Sequence, residues 1–193
     1  LPGSRRSEIR HHMAIFGATV ALLRKQGVAF ELVLPTMPHL EQAIAIALKD
    51  WPVQPRVVVG EHDKRAAFRI AYAAFAKSGT STLELAIAGV PMVAAYKGGG
   101  VEAWIAKRLI RSASVILANL VIGENVVPEY IQHDCTPEKL VPALRDVLSD
   151  TPMRRRQVEA FAKLDTIMDT GKSSPSIGAA EIVIAMLRTQ SGA

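Results

Sequence analysis

A chain of 193 residues, 49% hydrophobic and 21% charged, can fill the core of one sizeable domain and is too apolar for a disordered segment. Aromatic residues at 5% are too sparse for the stacking platforms of a single-strand nucleic-acid binder, and no apolar run reaches the roughly 18 residues of a membrane span. The net charge of +5 suits an anionic partner such as a phosphate ester, a nucleotide or an acidic membrane surface, and equally a merely basic soluble surface.

In chain order, Leu1-Pro2 reads as the last step of a strand, with no initiator methionine and no secretory leader before it, so the chain is expected to be a piece of a longer protein. The stretch SEIRHHMAIFGATVALLRKQG sets Ile9, Met13, Phe16, Val20 and Leu23 on one helical face and stops at Gly27. A buried strand AFELVLP ends at Pro35, a helix HLEQAIAIALKDW follows, and RVVVG is a second strand. KRAAFRIAYA predicts a short helix and AAFAK the next strand, which runs into a turn and helix at KSGTSTLELAIAG. PMVAAYK predicts a strand, VEAWIAKRLIR a helix, and SVILAN a final strand. After VVPEYIQ come three helical segments, at 137 to 149, 152 to 168 and 176 to 188, with hinge-like breaks at Thr151-Pro152 and at 170 to 176. There is no internal repeat.

Strands alternate with helices, and the strands are apolar on both faces. That pattern predicts an α/β domain with a doubly wound parallel sheet covered on two sides. Residues 1–150 are expected to form this domain and residues 151–193 to be helices that complete it.

In such sheets ligands sit beyond the carboxyl ends of the strands. Two polar turns fall there: Gly3-Ser4-Arg5, and Ser78-Gly79-Thr80 after AAFAK. Each opens a helix, where unpaired N–H groups and the positive end of the macrodipole favour an anion. Gly79 permits close backbone approach, the hydroxyls can donate to phosphate oxygens, and Arg5 supplies a planar cationic fork. Either turn alone is also an ordinary Ser/Thr helix cap; two on neighbouring strand ends, one with arginine, favour phosphate. Glu84, one helical turn beyond Thr80, could accept from a ribose diol or be a first-turn acid favoured by the macrodipole.

The remaining features are weaker. KGGGVE (97 to 102) matches neither dinucleotide nor P-loop spacing and reads as a flexible loop or one that closes on a sugar. Trp104, Lys107, Arg108 and Arg111 form a basic helix face that suits an anionic membrane or plain solvent, and Arg154 to Arg156 a solvated helix start. Cys135 is the only cysteine, which excludes a disulfide framework within the chain, fits a reducing compartment and reads as a half-buried structural residue. His11, His12, His39, His62 and His133 lack zinc-type spacing, and no metal is expected.

Four segments in this order, LPGSR, SGTSTLELAIAGVPMVAAYK, AKRL and LANLVIGENVVPEYIQHDCTPEKL, resemble lipid-A-disaccharide synthase from residue 1 to about 145. The resemblance implies the C-terminal, nucleotide-sugar-binding Rossmann-like half of a GT-B glycosyltransferase. It implies transfer of 2,3-diacylglucosamine from UDP to 2,3-diacylglucosamine 1-phosphate, with inversion, giving lipid A disaccharide and UDP. No metal or other cofactor is implied, and the work is placed at the cytoplasmic face of the inner membrane of a Gram-negative bacterium. On that reading Ser78, Gly79 and Thr80 cradle the UDP diphosphate and Glu84 holds the ribose. Ser4 and Arg5 fall on the family's Gly-Ser-Arg, where Arg5 neutralises leaving-group charge. Asn119, Glu129 and Gln132 fall on its asparagine and Pro-Glu-x-x-Gln positions near the donor, although Asn119 could simply end a strand and Glu129 cap a helix.

The general base belongs to the other half, so this chain alone is expected to bind UDP weakly and to catalyse nothing. Ala118 replaces the usual proline, Glu124 a common arginine, and the glycines at 98 to 100 a bulkier sequence. The last helix is expected to pack toward the other half or to drive self-association. The rival readings are another UDP-sugar GT-B enzyme, such as a UDP-N-acetylglucosamine 2-epimerase, and a non-catalytic nucleotide- or protein-binding module.

Overall fold

The computed structural model describes residues 1–98, 114–169 and 175–190. The basic helix expected at 101 to 111 and most of the glycine-rich loop lie outside the described residues. The elements run α1 (Arg6–Lys25), β1 (Val33–Thr36), α2 (Glu41–Leu48), β2 (Arg56–Val59), α3 (Glu61–Ile70), β3 (Ala74–Lys77), α4 (Thr80–Ile87) and β4 (Met92–Tyr96). They continue with α5 (Leu117–Ile122), β5 (Glu129–Ile131), α6 (Pro137–Val147), α7 (Pro152–Phe161), α8 (Leu164–Ile167) and α9 (Pro175–Gln190).

Every strand pairing is parallel, β1 with β2 and β3–β4–β5 in a row. Helices cover both faces, as apolar parallel strands require. Alternation along β4 shows the two layers: Val93 and Ala95 point into a core with α1, α2 and α6, while Met92 and Ala94 point into a second core with α4, α5 and α7. The predicted face of α1 (Ile9, Met13, Phe16, Val20, Leu23) is buried in the first core, where Phe16 stacks on Phe75 of β3 with ring centroids 3.7 Å apart.

Leu1 lies beside β3 as a parallel neighbour. Its amine donates to the Phe75 carbonyl and its own carbonyl accepts from Lys77 N–H, both at 2.8 Å. The last-step-of-a-strand reading of Leu1 therefore agrees with the backbone bonding. Leu1 and Pro2 line an apolar cleft of about 570 Å³ with Leu34 and Pro35 of β1 and Phe75 of β3. The cleft separates the two strand groups.

The predicted elements need three corrections. SVILAN is not a strand: Leu117–Ile122 is helix α5, and the last strand is Glu129–Ile131. Asn119 explains the difference, because its buried side chain accepts from the N–H groups of Val126 and Val127 and donates to the Val127 carbonyl. Those bonds fold 119–127 back on itself, and Gly123, at φ +80°, supplies the left-handed stop that ends α5. The strand expected at 29–35 is shorter and later, running through Pro35 to Thr36. The helix expected at 152–168 breaks after Phe161, and the bend brings Phe161 and Leu164 into the same core. The basic run is largely solvated as expected, with Arg155 and Arg156 exposed in pairs with Asp150 at 2.9 Å and Glu124 at 3.3 Å, while Arg154 lies 3.6 Å over the Tyr72 ring.

Candidate functional site

Because Leu1 and β3 are parallel neighbours, the turns that follow them open side by side on one rim of the sheet. The first turn begins at Gly3, whose φ of +134° is open to glycine; a Cβ there would sit 2.5 Å from Glu8 Oε2. The chain then enters α1, a twenty-residue helix with its N-terminus at the rim. The second turn leaves β3 at Lys77 and enters α4 at Thr80. The first-turn N–H groups of Gly79, Thr80 and Ser81 have no acceptor among the described residues, while Thr82 donates its N–H and its hydroxyl to the Gly79 carbonyl, at 3.1 and 2.7 Å.

A charged pair spans the two turns. Glu8 Oε2 accepts from the N–H groups of Ser4 at 2.8 Å and Arg5 at 3.3 Å. Glu8 Oε1 pairs with Lys77 Nζ at 3.0 Å, and both side chains are largely buried. The Arg5 guanidinium stands 3.7 Å from the same oxygen and is 79% exposed, so it faces outward from the rim. Partial burial pushes the Glu8 carboxyl upward, but Lys77 together with the Ser4 and Arg5 N–H groups outweighs it and holds the pKa below its ordinary value.

Behind the second turn lies a polar network. Ser78 is buried, gives its N–H to the Ala95 carbonyl at 2.9 Å and directs its hydroxyl at the Val115 carbonyl at 3.4 Å. Val115 N–H donates to Glu129 Oε2 at 3.2 Å, and the Ser114 hydroxyl and Asn119 Nδ2 donate to Glu129 Oε1.

A family model described as lipid-A-disaccharide synthetase matches residues 1–183. A curated protein named lipid-A-disaccharide synthase from Rhodopseudomonas palustris strain BisB18 is 70% identical over 187 residues, 97% of this chain and 47% of that protein. One of the same name from Bradyrhizobium diazoefficiens is 65% identical over 188 residues, covering 97% of this chain and 48% of that protein. Another, from Rhodospirillum centenum, is 38% identical over 184 residues, 95% of this chain and 46% of that protein. The chain belongs to the lipid-A-disaccharide synthetase family. It spans about half the length of the curated relatives it matches.

Set on this family member, the residues singled out by sequence fall into two groups, with Glu84 and Gln132 standing apart. Ser4, Arg5, Gly79 and Thr80 stand together on the rim. Ser78, Asn119 and Glu129 are joined through Val115 just behind it, and their polar groups bond to one another and to the backbone. Asn119 is 2% exposed, so it sets the shape of the chain leading into β5 rather than presenting a free amide. Glu84 is one turn into α4, as expected from its spacing, and its carboxylate pairs with Lys64 of α3 at 2.7 Å. Gln132, just after β5, is a non-glycine residue at φ +53°, and its buried Nε2 has no acceptor among the described residues. A donor without a partner in a strained backbone is a feature of ligand sites.

Three participants escaped the sequence reading. Glu8 stands three residues after Arg5, at the capping-box interval, and that spacing was a usable signal. Lys77 was quoted only as the end of a strand. His12 is fully buried and bonds through Nδ1 to the Glu8 carbonyl at 2.8 Å. Its Nε2 accepts from Lys97 N–H at 3.0 Å, which fixes the neutral tautomer protonated at Nδ1. Cys135 is more deeply buried than expected, at 1% exposure, and burial raises its thiol pKa, the reverse of what a reactive thiolate needs.

Proposed function

We propose that this chain is the donor-binding half of an inverting glycosyltransferase that moves 2,3-diacylglucosamine from UDP to 2,3-diacylglucosamine 1-phosphate. Lipid A disaccharide and UDP are the products. The observation that carries the reading is the pair of N–H-bearing turns, Gly3-Ser4-Arg5 and Gly79-Thr80-Ser81, side by side on one sheet rim in a member of this family.

On this reading the α4 N-terminus and the Ser4 turn bind the diphosphate through backbone N–H groups. Arg5 swings its exposed guanidinium onto the leaving phosphate and stabilises the negative charge that grows there as the glycosidic bond breaks. Glu84 reaches the ribose hydroxyls, with Lys64 orienting its carboxylate. Gln132 donates its unused amide to the donor, while Asn119 and Glu129 keep Ser78 and the second turn in place. The base that deprotonates the acceptor hydroxyl lies in the other half of the enzyme. Residues 1–150 hold the nucleotide sugar, and residues 151–193 pack toward that other half. The whole enzyme works at the cytoplasmic face of the inner membrane, where its acylated substrates reside, and requires no metal or cofactor.

Calorimetric titration with UDP tests the binding half of this proposal. Saturable binding is expected for the chain, with a loss of about tenfold or more for Arg5→Ala, since a charge-assisted pair is worth ~1.5–3 kcal/mol. Absence of binding heat would count for a module that meets only other proteins. With the full-length enzyme, a short-chain diacyl donor should turn over and plain UDP-N-acetylglucosamine should not; the reverse would favour an epimerase or another UDP-sugar transferase.

A further inference from the structure

We infer that Lys77 is a further ligand of the donor's diphosphate, and that Glu8 occupies the anion position between the two turns until the diphosphate displaces it. The inference rests on the proposed UDP site and adds two residues to it.

Geometry carries the argument. Lys77 leaves the carboxyl end of β3 one residue before the Ser78-Gly79 turn, and its ammonium reaches across to the other turn. Nζ lies 3.0 Å from Glu8 Oε1 and 5.4 Å from the centre of the Tyr96 ring. It is also 3.3 Å from the point a Cβ on Gly79 would occupy. A single cation therefore borders both turns. Glu8 collects what an anion at this place would collect: two backbone N–H groups at the head of α1, one ammonium and one guanidinium edge. A carboxylate has two oxygens with which to fill that position. A diphosphate carries more oxygens and more charge, and can engage the α4 N–H groups at the same time, which Glu8 does not. Exchange needs only a rotation of the Glu8 side chain, which would return its carboxylate to solvent. Lys77 remains where it is and changes partner.

The two residues then have opposite effects on binding, which a shared structural role would not produce. The test is titration of the full-length enzyme with UDP and with uridine, in the wild type and in the Lys77→Met, Lys77→Arg and Glu8→Gln variants, each checked for an unaltered melting transition. Lys77→Met should weaken UDP about tenfold while uridine is unaffected, because only the phosphates touch the ammonium. Lys77→Arg, which keeps the charge, should retain most of the UDP affinity and serves if the Met variant does not fold. Glu8→Gln should tighten UDP several-fold, since a neutral amide competes less well for the cradle. The inference is overturned if Lys77→Met leaves UDP affinity intact or weakens uridine equally. It is also overturned if Glu8→Gln weakens UDP as Lys77→Met does, which would make the pair a scaffold. A wild-type enzyme that binds no UDP would instead overturn the functional reading on which the inference stands.

Discussion

His12 is a fully buried titratable residue bonded directly behind the rim. Burial lowers its pKa below the ordinary 6.5, a shift reinforced by nearby Lys77 and His11 and opposed by the bond to the Glu8 carbonyl and by the Glu8 charge. A neutral folded imidazole means that the unfolded chain binds the extra proton first. Stability is therefore full above pH 6.5 and falls as the pH drops through the folded pKa. Urea midpoints measured from pH 8 to pH 5 should decline for the wild type and decline less for His12→Gln. Glu8 behaves in the same direction in a lower window, its contribution falling away below its ordinary value of 4.5. At this scale the sequence showed which turns bear hydroxyls and which carry arginine, because those are local properties. The bond from His12 to Lys97 and the pair between Glu8 and Lys77 join residues far apart in the chain, and no spacing rule announces them. Gln132 is intermediate: its family position was legible, its unsatisfied amide was not. Gln132→Ala should leave the melting temperature within a degree or two of wild type and weaken UDP-sugar binding, measured by titration with the full-length enzyme.

Among elements, the apolar periodicity of α1 and the fully apolar run of β4 were decisive, since burial on one face or on two leaves a visible pattern. Failure came at SVILAN, whose short apolar run suits either a strand or a helix. A single buried asparagine and one left-handed glycine decided for helix. α7 holds a comparable device. Gln157 is completely buried, accepts from Met92 N–H at 2.7 Å and donates to the Met92 carbonyl at 3.0 Å, so a helix side chain serves the backbone at the start of β4. Gln157→Leu keeps the volume but orphans both Met92 groups and should cost ~2–6 kcal/mol in denaturant unfolding, at about 1–3 kcal/mol per unsatisfied buried group. Because Met92 begins the strand that leads to Tyr96 and Lys97, loosening it should also raise amide exchange across the site rim.

For the molecule as a whole, the last helix bears on assembly. Ile182, Val183 and Ile184 of α9 are 63%, 57% and 48% exposed, a run of apolar surface that water does not favour. Sedimentation of this chain should reveal self-association that Val183→Glu reduces; a strictly monomeric profile would show that α9 remains solvated or folds back.

The cleft between β1 and β3 leads further. Among the described residues β1 pairs with β2 and β3 with β4, apart from the two bonds made by Leu1, and residues of both β1 and β3 line the cleft. An extended apolar segment laid there would pair with both edges and knit the two strand groups into a continuous sheet. A synthetic valine-rich segment added in trans should therefore raise the thermal midpoint of this chain. Without one, concentrated solutions should drift toward intermolecular β-pairing, visible as a growing amyloid-dye signal.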